Sequence, residues 1–411
     1  MIKTELFNVL LLLAATLIFA RAFGYLFYRL KQPAVIGEII AGMFLGGVVL
    51  FIFSGQQFII SNYVISPPEL SFHIPEFNLL AEIGILFLLF ISGLETSISK
   101  LKKTGKASTF VAVGGVIAPL ILGFLSGVFL GFSMEASIVI GLILTATSVG
   151  VTARTLMDLH VLDTDAGATI LGAAVIDDVI GILLLVSVLG IQSTVMNAVW
   201  VGIKIAIFFL VFLYLGLKVI DKVLDLGERI NLPKAFLSIS LSILLLYSFF
   251  ADKAGISGIV GAFVAGILIG QNIRSSKISE DVKTIGYGFF IPIFFVWIGS
   301  SFWEGASTDI STYAAIGIVA LVIIIVSIVG KIVGCGIAAK LAGMSNTESL
   351  QVGIGMIPRM EVALIIVTAA ISRGILVDEA AHQILVTTIL LSIMTTLITP
   401  FLIKATFKNV E

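Results

Sequence analysis

The sequence predicts an all-α polytopic membrane protein of about 13 transmembrane helices, arranged as inverted repeats with two broken crossing helices. Three observations lead there. Apolar residues make up 59% of the 411 residues and charged residues only 12%, where a soluble domain carries about 25% charge. The apolar runs are about 20 residues long, the length of a membrane-spanning helix and not of a barrel strand. A small-residue pattern also recurs seven spans apart. Because backbone in hydrocarbon must satisfy its own hydrogen bonds, helices are the structure these runs can form. The net charge of −1 and the single Cys335 point neither to nucleic acid nor to a disulfide framework.

In chain order the spans are Leu6–Tyr28, Pro33–Phe53, Asn78–Leu94, Ser108–Leu130, Ala136–Leu156, Ala166–Leu189, Ala198–Ile220, Pro233–Phe250, Ile256–Gly270, Ile285–Phe302, Tyr313–Ala339, Leu350–Ile371 and Ala381–Ile403. The first carries a small-x-small stretch, Ala20-Arg21-Ala22, like a signal-peptide cleavage site. Glu5 offsets Lys3, however, and apolar character resumes from Ala22 to Leu30, so a retained span is expected. The loops alternate in charge. One set holds 17 lysines and arginines, including Lys100, Lys102, Lys103 and Lys106, and the other only Lys3, Lys253 and Arg373. The positive-inside rule puts the first set in the cytoplasm, with the N-terminus outside and the C-terminus cytoplasmic in the cell membrane. The longest loop, Ser54–Phe77, then lies outside.

Span two contains Gly37, Ala41, Gly42 and Gly46, and span nine Gly261, Ala265, Gly266 and Gly270, both in a G-x-x-x-A-G-x-x-x-G pattern. Small residues at this spacing let helices approach closely. An odd offset of seven spans also gives the copies opposite orientations, the inverted-repeat plan of many secondary transporters. The same offset pairs two interrupted spans. Span five holds Thr145-Ala146-Thr147-Ser148-Val149-Gly150-Val151-Thr152, and span twelve holds Gly353-Ile354-Gly355-Met356-Ile357-Pro358-Arg359. Paired interruptions point to a transport site at mid-membrane, where freed carbonyls are hard oxygen ligands suited to alkali cations.

Apart from Arg154, Lys218, Lys234 and His382 at span edges, nine ionisable residues fall inside spans: Arg21, Glu38, Glu82, Asp177, Asp178, Lys204, Lys331, Arg359 and Glu361. Each costs about 3 kcal/mol or more to insert, so each needs a partner or neutralisation. Asp177 and Asp178 are adjacent near the middle of span six. Helical neighbours point about 100° apart, so the two carboxylates are expected to face different partners. Two like charges in so poorly solvated a place cannot both ionise cheaply without a cation, which makes proton and cation competitors. Lys331, mid-span and too deep to reach the interface, is a natural partner for one of them. Arg359 and Glu361 flank the break in span twelve and are expected to belong to an ion-pair network bracing it. Arg21 and Lys204 are near span ends and are expected to snorkel. Glu38 and Glu82 either line an ion path or pair with Arg21. No histidine clusters at metal-ligand spacing, and no cofactor is expected.

Rival classes fit less well. An intramembrane aspartyl protease needs facing carboxylates, and the Gly-x-Gly-Asp context is missing, so no enzyme is expected. A channel relies on symmetric rings. A sodium-coupled organic-anion symporter on a similar fold remains the nearest rival carrier.

Taken together, the Asp177-Asp178 pair, the Thr147-containing break, Gly330-Lys331-x-x-Gly334 and Gly355-Met356-Ile357-Pro358-Arg359-Met360-Glu361-Val362 resemble the monovalent cation:proton antiporters. The likeness is to their second group, which includes bacterial sodium/proton exchangers and the membrane part of Kef-type potassium/proton systems, and it covers essentially the whole chain. The resemblance implies Asp178 as the principal carrier of cation and proton, with Asp177 paired to Lys331 when the cation is absent. It implies Thr147 and Ser148, with carbonyls of the unwound segment, as the rest of the cation shell. It implies a moving core (about 108–190 and 313–403), an interface domain (about 6–94 and 233–302) and a linker helix (about 198–220). It also implies a homodimer with elevator-like motion in the lipid bilayer. The paired aspartate resembles the electrogenic branch, and sodium or lithium is expected as the cation, with potassium the alternative. Met360 departs from the family pattern, which more often has glycine there.

Overall fold

The computed structural model describes residues 2–53, 58–60, 63–65, 70–72, 74–189, 195–229, 234–272, 275–303 and 310–407. The helices are α1 (Ile2–Arg29), α2 (Ala34–Ile52), α3 (Pro75–Glu95), α4 (Ile98–Phe129), α5 (Met134–Thr145), α6 (Val149–Asp158), α7 (Asp165–Leu189) and α8 (Val195–Arg229). They continue as α9 (Ala235–Ala254), α10 (Gly258–Gly270), α11 (Ser275–Ile285), α12 (Ile291–Ser300), α13 (Ile310–Leu341), α14 (Asn346–Gly355), α15 (Glu361–Ser372) and α16 (Asp378–Phe407). A π-helical turn, Gly286–Phe290, joins α11 to α12. Among the described residues, ten helical stretches are long and apolar enough to cross a membrane, and Gly258–Gly270 and Val362–Ser372 are shorter apolar helices. One departure from the helical expectation lies in the loop after α2. There β1 (Phe58–Ile60) and β2 (Tyr63–Ile65) pair antiparallel, with Phe58 opposite Ile65; β-branched and aromatic residues favour such a pairing.

The chain divides into two compact units. The first comprises Met1–Phe87 and Lys283–Thr308. Its core gathers Leu12, Ala20, Ala41, Leu45, Phe72, Phe77, Ile293 and Val296. The packing of α2 is set by its glycines. A methyl group on Gly37 would sit 2.3 Å from the Phe23 carbonyl oxygen of α1, and one on Gly42 would sit 2.1 Å from the Val296 carbonyl oxygen of α12. The Trp303 indole donates to the Met43 carbonyl at 2.7 Å, and the Trp297 indole to Asn78 Oδ1 at 2.8 Å. Arg21, expected to snorkel, donates to the Tyr287 carbonyl in the π-turn, where the irregular ladder leaves an acceptor.

The second unit comprises Leu88–Val282 and Asp309–Glu411. Here α10 repeats the behaviour of α2. A methyl on Gly261 would meet the Tyr247 carbonyl oxygen of α9 at 2.3 Å, and one on Gly266 the Phe90 carbonyl oxygen of α3 at 2.2 Å. The shared glycine pattern thus does the same work twice. Its first glycine admits the preceding span and its second admits a span of the other repeat.

Long α4 and α13 cross where Gly114 and Gly334 touch. A methyl on either would lie 2.5 or 2.4 Å from the carbonyl oxygen of the other. An apolar core from α5, α13, α15 and α16 includes Ile140, Leu144, Ile323, Val367 and Leu391.

Both interrupted spans are broken. The first break is Ala146-Thr147-Ser148, between α5 and α6. The second is Met356 to Met360, between α14 and α15. Pro358 carries no N–H and disfavours helical backbone at Ile357 before it. Each span begins on a serine cap. Ser133 accepts from the Ala136 N–H, and Ser345 forms a reciprocal capping box with Glu348.

Candidate functional site

The adjacent aspartates of α7 part company as their helical spacing requires. Asp177 is only 3% exposed and turns toward α13. Its Oδ2 lies 3.4 Å from Lys331 Nζ, and Lys331 is fully buried. A charge-assisted bond is usually about 2.7–2.9 Å, so the pair is in contact but not tightly closed. Asp177 Oδ1 has no hydrogen-bond partner among the described residues. Lys331 reaches this depth because of α4. A methyl on Gly115 would stand 3.2 Å from Lys331 Nζ and 2.6 Å from Cys335 Sγ. Gly115, next to the Gly114–Gly334 crossing, is therefore the space into which the lysine head fits.

Asp178 is half-buried and faces elsewhere. It lines a small, partly open cavity with Leu89, Val149, Leu171, Val175, Ile259, Val260 and Phe263. Every other lining side chain is apolar, so the carboxyl group supplies the cavity's charge. Val149 is the first residue of α6, which brings the first break to the same cavity. Within that break the Thr147 hydroxyl is buried and has no hydrogen-bond partner among the described residues. The Ser148 N–H donates to the Pro358 carbonyl at 2.8 Å, tying the two breaks together. Thr152 adds a second tie, its hydroxyl donating to the Gly355 carbonyl at 2.7 Å.

Arg359 is fully buried in the second break. Its Nη1 donates to the carbonyls of Met356 and Ile357 at 3.1 and 2.9 Å, and its Nη2 to the Leu144 carbonyl at 2.8 Å. Its own N–H donates to the Thr395 hydroxyl of α16 at 3.2 Å. The guanidinium thus bonds the ends of α5 and α14, where helix carbonyls lack internal partners. Glu361 opens α15, and its side chain lies outside the described residues. Sequence reading missed the roles of Thr152, Thr395 and Gly115. The signal for Gly115 was the Gly114-Gly115 pair itself, since adjacent glycines mid-span mark a close helix approach. The two threonines carry no such signal, because a threonine bonding its own preceding turn looks the same in sequence.

A carboxyl group open to a cavity beside an unwound, hydroxyl-bearing segment can exchange a proton for a small cation, while a second carboxylate is held by a lysine behind it. Comparison with known proteins shows which family the chain belongs to. Residues 13–408 match the family model "Sodium/hydrogen exchanger, transmembrane". The chain is 35% identical over 371 residues to the Bacillus cereus protein named "Probable Na(+)/H(+) antiporter GerT", covering 89% of this chain and 92% of that one. It is 32% identical over 403 residues to the Na(+)/H(+)-K(+) antiporter GerN of the same organism, covering 98% and 96%. The solved structure of the sodium proton antiporter MjNhaP1 from Methanocaldococcus jannaschii superposes with a TM-score of 0.59 at 18% identity, covering 99% of this chain and 98% of that one, and so shares the fold. The chain belongs to the sodium/hydrogen exchanger family, and is a multi-pass membrane antiporter of monovalent cations and protons rather than an enzyme.

Proposed function

We propose that this antiporter exchanges sodium or lithium for protons, with Asp178 carrying cation and proton in turn. The observation that carries this reading is the division of labour between the aspartates. Asp177 is held against Lys331 in the protein interior, whereas Asp178 lines a cavity it shares with the start of α6. Thr147 and Ser148, with carbonyls of the same break, complete the cation shell; the buried Thr147 hydroxyl, without a hydrogen-bond partner among the described residues, supports that role. Facing the proton-rich side, Asp178 is protonated and the cation leaves. Facing the other side, it loses the proton and binds a cation. A carboxyl group neutralised by either ligand crosses hydrocarbon more cheaply than an empty, ionised one, which couples the two fluxes.

The same reading takes the core, about 108–190 and 313–403, as the part that moves in an elevator-like step against an interface domain, about 6–94 and 233–302, within a homodimer, with 198–220 as linker. The N-terminus is outside, and exchange is electrogenic, as the likeness of the paired aspartates to the electrogenic branch implies. Potassium is the second reading, because one relative is named for potassium as well as sodium. Reconstitution in liposomes with an imposed pH gradient and a pH-sensitive dye tests both. Dye recovery on adding sodium or lithium, but not choline, is the expected result. Recovery with potassium alone selects the second reading, and no response to any cation from folded protein rejects both.

A further inference from the structure

The two breaks hold matching places in the two repeats, seven spans apart, yet their polar groups are engaged differently. In the second break every carbonyl from Gly355 to Pro358 has a donor. Gly355 accepts the Thr152 hydroxyl at 2.7 Å, and Met356 and Ile357 accept Arg359 Nη1 at 3.1 and 2.9 Å. Pro358 accepts the Ser148 N–H at 2.8 Å and Arg359 Nη1 at 3.3 Å. The same guanidinium reaches Leu144 in the last turn of α5 at 2.8 Å. A helix C-terminus carries about half a negative charge, so one buried guanidinium faces about one unit of opposite charge from two half-helices. In the first break, by contrast, the Thr147 hydroxyl has no partner among the described residues. The helices that follow the breaks differ in the same sense. α7 presents Asp177 and Asp178 mid-span. The acidic residues of α16 stand in its first turn, Asp378 and Glu379, and Thr395 and Thr396 meet the Arg359 backbone instead.

We infer that Arg359 is a resident cation. Its guanidinium occupies, in the second repeat, the place that the transported ion takes in the first. The second break is thereby filled, and the chain keeps one exchangeable cation site. Arg359 is a positioning residue: it neutralises the carbonyl ends of α5 and α14 and holds Leu144 to the Met356–Pro358 turn, which keeps the first break in shape for the ion. The inference rests on exchange at Asp178 as proposed above.

The test is chemical rescue. Arg359→Ala in proteoliposomes is expected to lose sodium-driven dye recovery by about tenfold or more, since hydrogen bonds to a buried charge are lost. Millimolar guanidinium chloride restores most of it, leaves wild-type exchange unchanged, and cannot be replaced by choline. The sodium KM of the rescued variant stays within about twofold of wild type, because the transported ion's own site is intact. Wild-type exchange without loss in Arg359→Ala, or a folded variant that guanidinium does not restore, overturns the inference. A second measurement needs no variant. Calorimetric titration of the wild-type protein with sodium is expected to give one site per chain, and two sites per chain overturn the inference. Wild-type activity in the same liposomes separates the two proposals. If it is absent, exchange at Asp178 fails first; if it is present without rescue, only the resident cation fails.

Discussion

Lys331→Met removes the ammonium that faces Asp177 and keeps a side chain of similar length. Both partners are buried, at 0% and 2% side-chain exposure. Removing one member of a buried ion pair costs about 3–5 kcal/mol, because the other charge is left uncompensated. The 3.4 Å separation is longer than a tight charge-assisted bond, which places the expected loss near about 3 kcal/mol. At about 2 °C per kcal/mol for a chain of this size, the melting temperature should fall by about 6 °C. The assay is thermal unfolding of detergent-solubilised protein, followed by intrinsic fluorescence for wild type, Lys331→Met, Asp177→Asn and the double variant. The double variant should recover most of the single loss, because no lone charge remains. A single variant as stable as wild type, or a double variant no better than Lys331→Met, would refute the pairing as the source of the stability.

Two other substitutions probe how the site is held. Thr152→Val keeps the volume but removes the bond to Gly355, and should cost about 1–3 kcal/mol, because the carbonyl is left without that donor; thermal unfolding alongside sodium exchange checks it. Gly334→Ala drives a methyl to 2.4 Å from the Gly114 carbonyl oxygen. It should cost about 1–3 kcal/mol by overpacking and displace Lys331, seen as lower melting temperature with weakened exchange.

Much of this arrangement could be read from the chain itself. The breaks fell where Thr147 and Pro358 put them, because proline and clustered small or hydroxylated residues weaken a helix by local chemistry. The division between Asp177 and Asp178 followed from the helical angle alone. The close approach of α2 and α10 to their neighbours followed from glycine spacing. What could not be read depends on contacts distant in sequence. The Asp178 cavity includes Ile259, Val260 and Phe263 of α10, some 80 residues away, and nothing in their apolar character marks them as neighbours of a carboxylate. The bonds from Arg359 to Leu144 and from Thr152 to Gly355 each span more than 200 residues. The strand pair Phe58–Ile60 and Tyr63–Ile65 was hidden by its length, since three-residue strands leave no periodicity to detect.

We propose that Asp178 carries the exchanged ions while Asp177 serves Lys331. The most direct measurement is sodium-driven proton exchange by Asp178→Asn in proteoliposomes, beside wild type and after confirming equal incorporation and an unchanged melting temperature. Asp178→Asn is expected to abolish exchange with sodium and lithium alike, since an amide neither releases a proton nor neutralises a cation. Full exchange by Asp178→Asn would rule out Asp178 as the carrier and move the site to another residue.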